Sequence, residues 1–176
     1  MNENHWFIAC TRSCQEKNVA ASLEARGLKT YIPIRKVIRK WSDRRKVVDQ
    51  ILIQRVVFVR CTEKERKLTM AAVPYLVKYL TAYPGAGEPA KVPEDQMREF
   101  VAMVNGSVEE VSFTEQPLQP GDMVRFTKGP LEGRVVELVS LDGKHYAAVR
   151  LPVLGAAITR IDIDSVERVS CAEDEK

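Results

Sequence analysis

The amino-acid sequence predicts an α+β protein in two parts: an N-terminal antiparallel sheet flanked by helices, then a small C-terminal β-barrel. Three observations predict it. Strand-like and helix-start signals alternate over residues 1–112 in the order strand, helix, strand, strand, helix, strand, helix. Five short strand-like runs, separated by glycine and proline turns, crowd into residues 120–170. Between these halves the chain is polar and acidic from Asn105 to Gln119, with Gly106, Pro117 and Pro120 at its turns, which is the composition of a linker. The expected organisation is 1–112 for the first domain, 113–119 for the linker, 120–170 for the barrel and 171–176 for an acidic, frayed tail.

Trp6 to Cys10 is apolar and aromatic, the pattern of a buried strand. Ser13 and Glu16 have capping-box spacing, and Gly27 stands where a helix needs a left-handed residue after its end, so a helix is expected from about Cys14 to Arg26. Its buried stripe would be Val19, Ala20 and Leu23. Leu28 to Ile34 reads as a strand that stops near Pro33, because proline cannot donate to an interior ladder. Residues 35–46 carry seven Lys or Arg and bend at Ser42-Asp43, which predicts a projecting basic hairpin. Ile51 to Arg60 is the strongest strand signal. Thr62 and Glu65 form a second capping box, opening a helix expected to turn Leu68, Ala71 and Ala72 inward and to end before Pro74. Leu76 to Leu80 reads as a strand. Pro93 then opens a third helix with Met97, Phe100, Val101 and Val104 on one face and Gly106 at its end. In the second half the expected strands are Met123–Phe126, Arg134–Val139, His145–Leu151, Ala157–Ile161 and Val166–Val169, with turns at Gly129-Pro130, Asp142-Gly143 and Pro152 to Gly155.

Charge divides the chain as sharply as pattern does. The 176 residues carry a net charge of +3, but residues 1–112 hold 19 Lys/Arg against 13 Asp/Glu, or +6, and residues 113–176 hold 8 against 11, or −3. The first half is therefore the one expected to approach polyanions. No long uncharged apolar run and no signal-peptide pattern at Met1-Asn2-Glu3-Asn4 is present, so a cytoplasmic protein without membrane contact is expected. Cys10, Cys14, Cys61 and Cys171 lack C-x-x-C spacing and read as reduced thiols. His5 and His145 have no cysteine or carboxylate at catalytic or metal spacing, and no phosphate-loop, dinucleotide or nucleophile-elbow motif occurs. No catalytic residue, metal or cofactor is expected, and the chain does not read as an enzyme.

The most specific motif lies in the second half: Pro120-Gly121-Asp122-Met123-Val124-Arg125-Phe126, then Gly129-Pro130-Leu131-Glu132-Gly133, then Arg134-Val135-Val136-Glu137-Leu138. It resembles the KOW motif, with Arg134 in place of a glycine usual there, and the resemblance implies an SH3-like barrel. The first half independently resembles the N-terminal domain of NusG-type transcription factors. The residues that carry this are Trp6-Phe7, Leu23-Glu24-Ala25-Arg26-Gly27, Tyr31-Ile32-Pro33, Val57-Phe58-Val59 and Val73-Pro74 before Leu76. The basic insertion, Gln54-Arg55 in place of a glycine-proline pair, and the acidic tail resemble the specialised antiterminators of the RfaH and UpxY kinds, the latter serving capsular polysaccharide operons.

The resemblance implies a transcription elongation or antitermination factor that binds RNA polymerase and suppresses pausing or termination; a KOW-bearing RNA- or ribosome-binding protein is the competing class. By position it implies a polymerase grip on the clamp coiled coil at Cys10, Ile53, Val56 and Tyr79, and contact across the cleft by Arg66 and Lys67. It also implies contact of Arg12, Gln15 and Lys17 with the non-template DNA strand, where arginine and glutamine suit base edges. The hairpin residues Arg39, Lys40, Trp41, Arg44, Arg45 and Lys46 combine phosphate-binding charge with a stacking ring, suited to upstream DNA. The barrel would recruit a second protein, a ribosomal protein or Rho in relatives. A monomer is expected.

Overall fold

The computed structural model describes residues 3–40, 45–83, 85–115 and 118–169. It divides into two compact units, Met1–Met97 and Arg98–Lys176.

The first unit is built on β1 (His5–Thr11), which pairs antiparallel with β5 (Val56–Cys61) on one side and with β6 (Leu76–Tyr79) and β7 (Lys91–Val92) on the other. β2 (Lys29–Tyr31) extends the sheet beyond β5. Alternation of side chains decides what each face holds. Phe7 and Ala9, beside Val59 and Val57, enter a core completed by Val19, Ala20, Leu23, Val73 and Tyr79. Trp6 and Ile8 point the other way, next to Arg60 and Phe58, and are also buried. A sheet apolar on both faces needs cover on both, which explains why β1 reads as an unbroken apolar run.

Helix α1 spans Glu16–Glu24, shorter than expected. Its end follows expectation: Gly27 has φ +80°, Leu28 N–H donates to Leu23 O and Gly27 N–H to Glu24 O, the paired bonds of a Schellman motif. Its start does not. Ser13 makes no cap; Glu16 turns inward, and its carboxylate accepts the backbone N–H of Arg55 at 2.7 Å. That N–H lies at a left-handed turn (φ +63°) and needs a partner, so the glutamate serves the turn rather than the helix.

That turn also splits the predicted Ile51–Arg60 strand. β3 (Ile34–Lys40) and β4 (Arg45–Ile51) form a separate two-stranded ribbon, Ile34 opposite Ile51 through Lys40 opposite Arg45, and the chain turns at Leu52–Arg55 before β5. Pro33 separates β2 from β3, and its carbonyl accepts from Leu52 N–H. Helix α2 (Glu63–Ala72) carries the predicted capping box: Thr62 Oγ1 accepts from Glu65 N–H, and Glu65 Oε2 accepts from Thr62 N–H. Its rotation differs from expectation, because Leu68, Ala71 and Ala72 are exposed and Thr69 is buried. Thr69 donates to Arg66 O and accepts from the Tyr79 hydroxyl at 2.8 Å, so a buried phenol selects the helix face instead of the aliphatic residues. Helix α3 (Glu94–Gly106) buries Met97, Phe100 and Val104 as predicted, with Met103; Val101 is half-buried.

The second unit, which begins within α3, carries one antiparallel sheet in the order β13-β9-β10-β11-β12-β8: β8 (Val111–Thr114), β9 (Asp122–Phe126), β10 (Val135–Leu141), β11 (Lys144–Leu151), β12 (Gly155–Arg160) and β13 (Val166–Arg168). The last five match expectation, and Asp142-Gly143, both at positive φ, form the two-residue turn between β10 and β11. Strand β8 was hidden in linker composition. It occupies the free edge of β12, so the end strands β8 and β13 do not pair with each other, and the sheet is an open path instead of a hydrogen-bonded barrel. Gly155 admits β8: a Cβ there would lie 2.2 Å from Thr114 O.

The segment leading into β9 is held by a latch. Arg150 donates Nε to Glu137 Oε2 at 2.7 Å and Nη2 to Oε1 at 2.8 Å, and reaches the Leu118 and Gln119 carbonyls; Glu137 also accepts from Gly121 N–H. The Arg150 bonds, foremost, hold the Glu137 carboxyl below its ordinary pKa. A depressed carboxylate stabilises above its unfolded pKa, and that stability is lost as pH falls through the folded value. Glu137→Gln should lower stability by about 1 kcal/mol at neutral pH, a figure reduced for the partial exposure of Arg150. The difference should close below about pH 4, near and under the ordinary glutamate pKa; thermal melts of both proteins across pH 3–7 check it.

Candidate functional site

Strand register separates the four residues expected to form one apolar grip. Cys10 pairs with Val56, which places both on one face of the sheet. Tyr79 pairs with Ala9 and therefore lies on the opposite face, inside the core with Phe7 at a ring separation of 6.2 Å. Ile53, in the turn before β5, is buried, as are Val56 and Tyr79; Cys10 alone is half-exposed. Burial pushes the Cys10 thiol pKa up, opposed by the nearby charges of Lys78 and Arg55. Tyr79 is a structural residue: burial raises its hydroxyl to about 12.

Arg66 belongs with Tyr79. Its guanidinium sits 5.5 Å from the Tyr79 ring centre and 5.7 Å from that of Phe7, and it is ion-paired to Glu63. It caps the core from the rim, with its charge already committed. Lys67, one residue on, is exposed. Adjacent positions on α2 face about 100° apart, so Arg66 and Lys67 present their charges in different directions.

The nucleic-acid candidates fare differently. Arg12 is exposed and Gln15 half-exposed, its Oε1 accepting from Asn18 Nδ2 at 2.7 Å. Lys17 is exposed and donates to Asp49 Oδ2 at 3.2 Å, which ties the start of α1 to strand β4 of the basic ribbon. Sequence reading missed Asp49, whose signal was its place as the lone acid on a basic strand, directly opposite Lys36. Arg45 and Lys46 are exposed at the far end of β4. Arg39 and Lys40 occupy β3 opposite them by backbone register. Trp41 and Arg44 lie outside the described residues. Ile38 and Val47, directly paired, put an exposed apolar couple between the charges. Arg55 and Lys78, which sequence reading did not assign to a nucleic-acid contact, are exposed cations at the same end of the sheet as Arg12.

Among the described residues no group of His, Cys, Asp and Glu could hold a metal ion, and no helix is long and apolar enough to cross a membrane. The half-buried and buried cysteines Cys10 and Cys61, and the exposed Cys14, are free thiols. The first unit is thus an antiparallel sheet whose end carries exposed cations, Arg12, Arg55 and Lys78, and it is followed along the chain by an antiparallel β unit.

The chain belongs to the NusG family: residues 4–101, more than half its length, match that family, described as "Transcription termination factor nusG". It is thus a member of a family of transcription factors. Among solved structures it is similar to that titled "Domain interaction in Thermotoga maritima NusG", at 21% identity over 96% of this chain and 98% of the other, with a TM-score of 0.49. Two conformations of an MjSpt4:Spt5 complex are also similar. They are 16% and 17% identical, cover 94% and 96% of this chain and 98% and 99% of theirs, and have TM-scores of 0.30 and 0.32. No curated protein matches.

The position of Tyr79 yields a test. Tyr79→Phe removes one buried hydrogen bond and should cost about 1 kcal/mol. Tyr79→Asp buries an unpaired carboxylate and should cost several kcal/mol, about 3 or more. Chemical denaturation should rank them in that order, with the loss in stability accounting for any loss of partner binding.

Proposed function

We propose that the chain is a transcription elongation and antitermination factor that binds RNA polymerase through its first unit and suppresses pausing or termination. The observation that carries this reading is the coincidence of the NusG family match with the basic half of the chain. The grip on the polymerase clamp coiled coil falls on the Cys10 face of the sheet, with Ile53 and Val56, while Lys67 on α2 reaches a second polymerase surface. Arg12, Gln15 and Lys17 meet the exposed DNA strand, and the ribbon β3–β4, through Arg39, Lys40, Trp41, Arg44, Arg45 and Lys46, meets upstream duplex.

The mechanism is selective binding. A factor that binds the closed-clamp, actively elongating polymerase more tightly than the paused one shifts the balance between them by that difference in affinity, without chemistry. The second unit acts as a KOW domain of SH3-like type and recruits a second protein, a ribosomal protein or Rho being the candidates. Its negative charge disfavours binding to RNA on its own. The basic ribbon and the Gln54-Arg55 turn support a specialised factor of the RfaH and UpxY kinds, serving particular operons such as those for capsular polysaccharide.

Tagged full-length protein should retain RNA polymerase from lysate and bind purified elongation complexes; absence of polymerase from the bound fraction would refute the reading. Replacing Arg45 and Lys46 with alanine should flatten the salt dependence of binding to a complex with upstream duplex by about 1.5 units of log-log slope, since each phosphate contact contributes roughly 0.7 to 0.9. The melting temperature should stay nearly constant, because exposed charges contribute little to stability. An unchanged slope would remove the ribbon from the interface.

A further inference from the structure

Three non-glycine residues with left-handed backbone gather at the end of β1: Cys14 (φ +59°), Arg55 (φ +63°) and Tyr75 (φ +65°). The last two are bound directly to it. Thr11 N–H donates to Arg55 O at 2.9 Å and Arg12 N–H donates to Tyr75 O at 3.0 Å, so each neighbouring strand contributes one left-handed residue just before it begins. A register shift between Cys10 and Thr11 in the β1–β6 ladder sets Arg12 across from Tyr75, a device that re-aims side chains at strand ends. A bulky aromatic residue is among the least suited to this conformation, and such outliers persist where a side chain must be held in one place.

The side chains these turns present are alike in kind. Tyr75 leaves 49% of its surface exposed, and among the described residues its ring makes no aromatic or cation contact. Arg12, Arg55 and Lys78 are exposed, and no carboxylate among the described residues pairs with any of them. Arg55 and Lys78 stand near enough to the Cys10 thiol to oppose the rise in its pKa, and Lys78 is the register partner of Cys10, so these two cations flank one residue. Glu16, the acid bound at this turn, is buried and already holds Arg55 N–H.

We propose that Tyr75, Arg55 and Lys78, together with Arg12, form a single-strand nucleic-acid site in which an unstacked base lies on the Tyr75 ring and the cations hold the adjoining phosphates. An open aromatic face among unpaired cations is the arrangement that binds unpaired bases without a groove, because every base has a π-face and stacking is tolerant of sequence. Duplex offers no such face, since its bases are already stacked. The inference extends the proposed function, in which this end of the sheet meets an exposed DNA strand, and adds residues that the sequence resemblance did not assign.

The test uses the full chain without polymerase. Binding of a fluorescent oligothymidine, an abasic strand of equal length and a duplex is measured by anisotropy at several salt concentrations. The wild type should prefer the oligothymidine over the abasic strand by about 5- to 150-fold, the range expected for one stacked base. Tyr75→Phe should keep that preference, and Tyr75→Ala should abolish it while leaving the salt slope unchanged. Tyr75→Gly, which suits the left-handed backbone and guards against misfolding, should abolish the preference and raise the melting temperature. Arg55→Gln should reduce the salt slope by about 0.7 and spare the preference. Equal binding of oligothymidine and abasic strand by the wild type, a preference surviving in Tyr75→Gly, or tighter binding of duplex would each overturn the proposal. Capture of polymerase by the same wild-type preparation is scored separately, so failure of the stacking site and failure of the polymerase reading give different results.

Discussion

Strand β1 is hydrogen-bonded to β5 on one side and to β6 and β7 on the other, so seven residues near the start of the chain fix the geometry of the first unit. Its alternation assigns Phe7 and Ala9 to the helix-covered core and Trp6, Ile8 and Cys10 to the other face. The same alternation forbids Cys10 and Tyr79 from sharing a binding surface. Where β1 ends, its last N–H groups fall to Arg55 and Tyr75, and the fold accepts two unfavourable backbone conformations to make those bonds. Structural order and the candidate binding site therefore meet at one point of the sheet.

Electrostatics separates the cations into two kinds. Arg66 and Arg150 are consumed by the fold, one over the rings of Phe7 and Tyr79 and the other on Glu137. Arg12, Arg55, Lys78, Arg45 and Lys46 have no such commitment among the described residues and leave their charge exposed. Lys17 is intermediate. Its exposed ion pair with Asp49 contributes little to stability and ties the ribbon to the start of α1.

Local chemistry was legible in the sequence wherever one short motif decides the outcome. Gly27, the Thr62–Glu65 capping box, Pro33 and the Asp142-Gly143 turn behave as their residue types require. What escaped depends on partners distant along the chain. Ser13–Glu16 has the spacing of a capping box, but Arg55, 39 positions away from Glu16, claims the carboxylate. Thr69 faces inward because Tyr79 needs a hydrogen-bond partner, a demand that helical periodicity does not register. Strand β8, Val111-Ser112-Phe113-Thr114, is only four residues long and lies between Glu110 and Glu115, so its flanks read as linker, and it fits beside β12 because Gly155 has no Cβ. Of the site residues, exposed cations were readable from composition, whereas which apolar positions are accessible follows from register and was not.

The reading of this chain as a factor that favours the elongating polymerase is tested most directly by its effect on a single, well-defined pause. Purified full-length protein would be added to RNA polymerase halted and released on a template with one strong pause, and the dwell time measured as protein concentration rises. The account predicts that the dwell time shortens and saturates at the concentration where the protein occupies the elongation complex. A dwell time that stays constant or lengthens at full occupancy would contradict it.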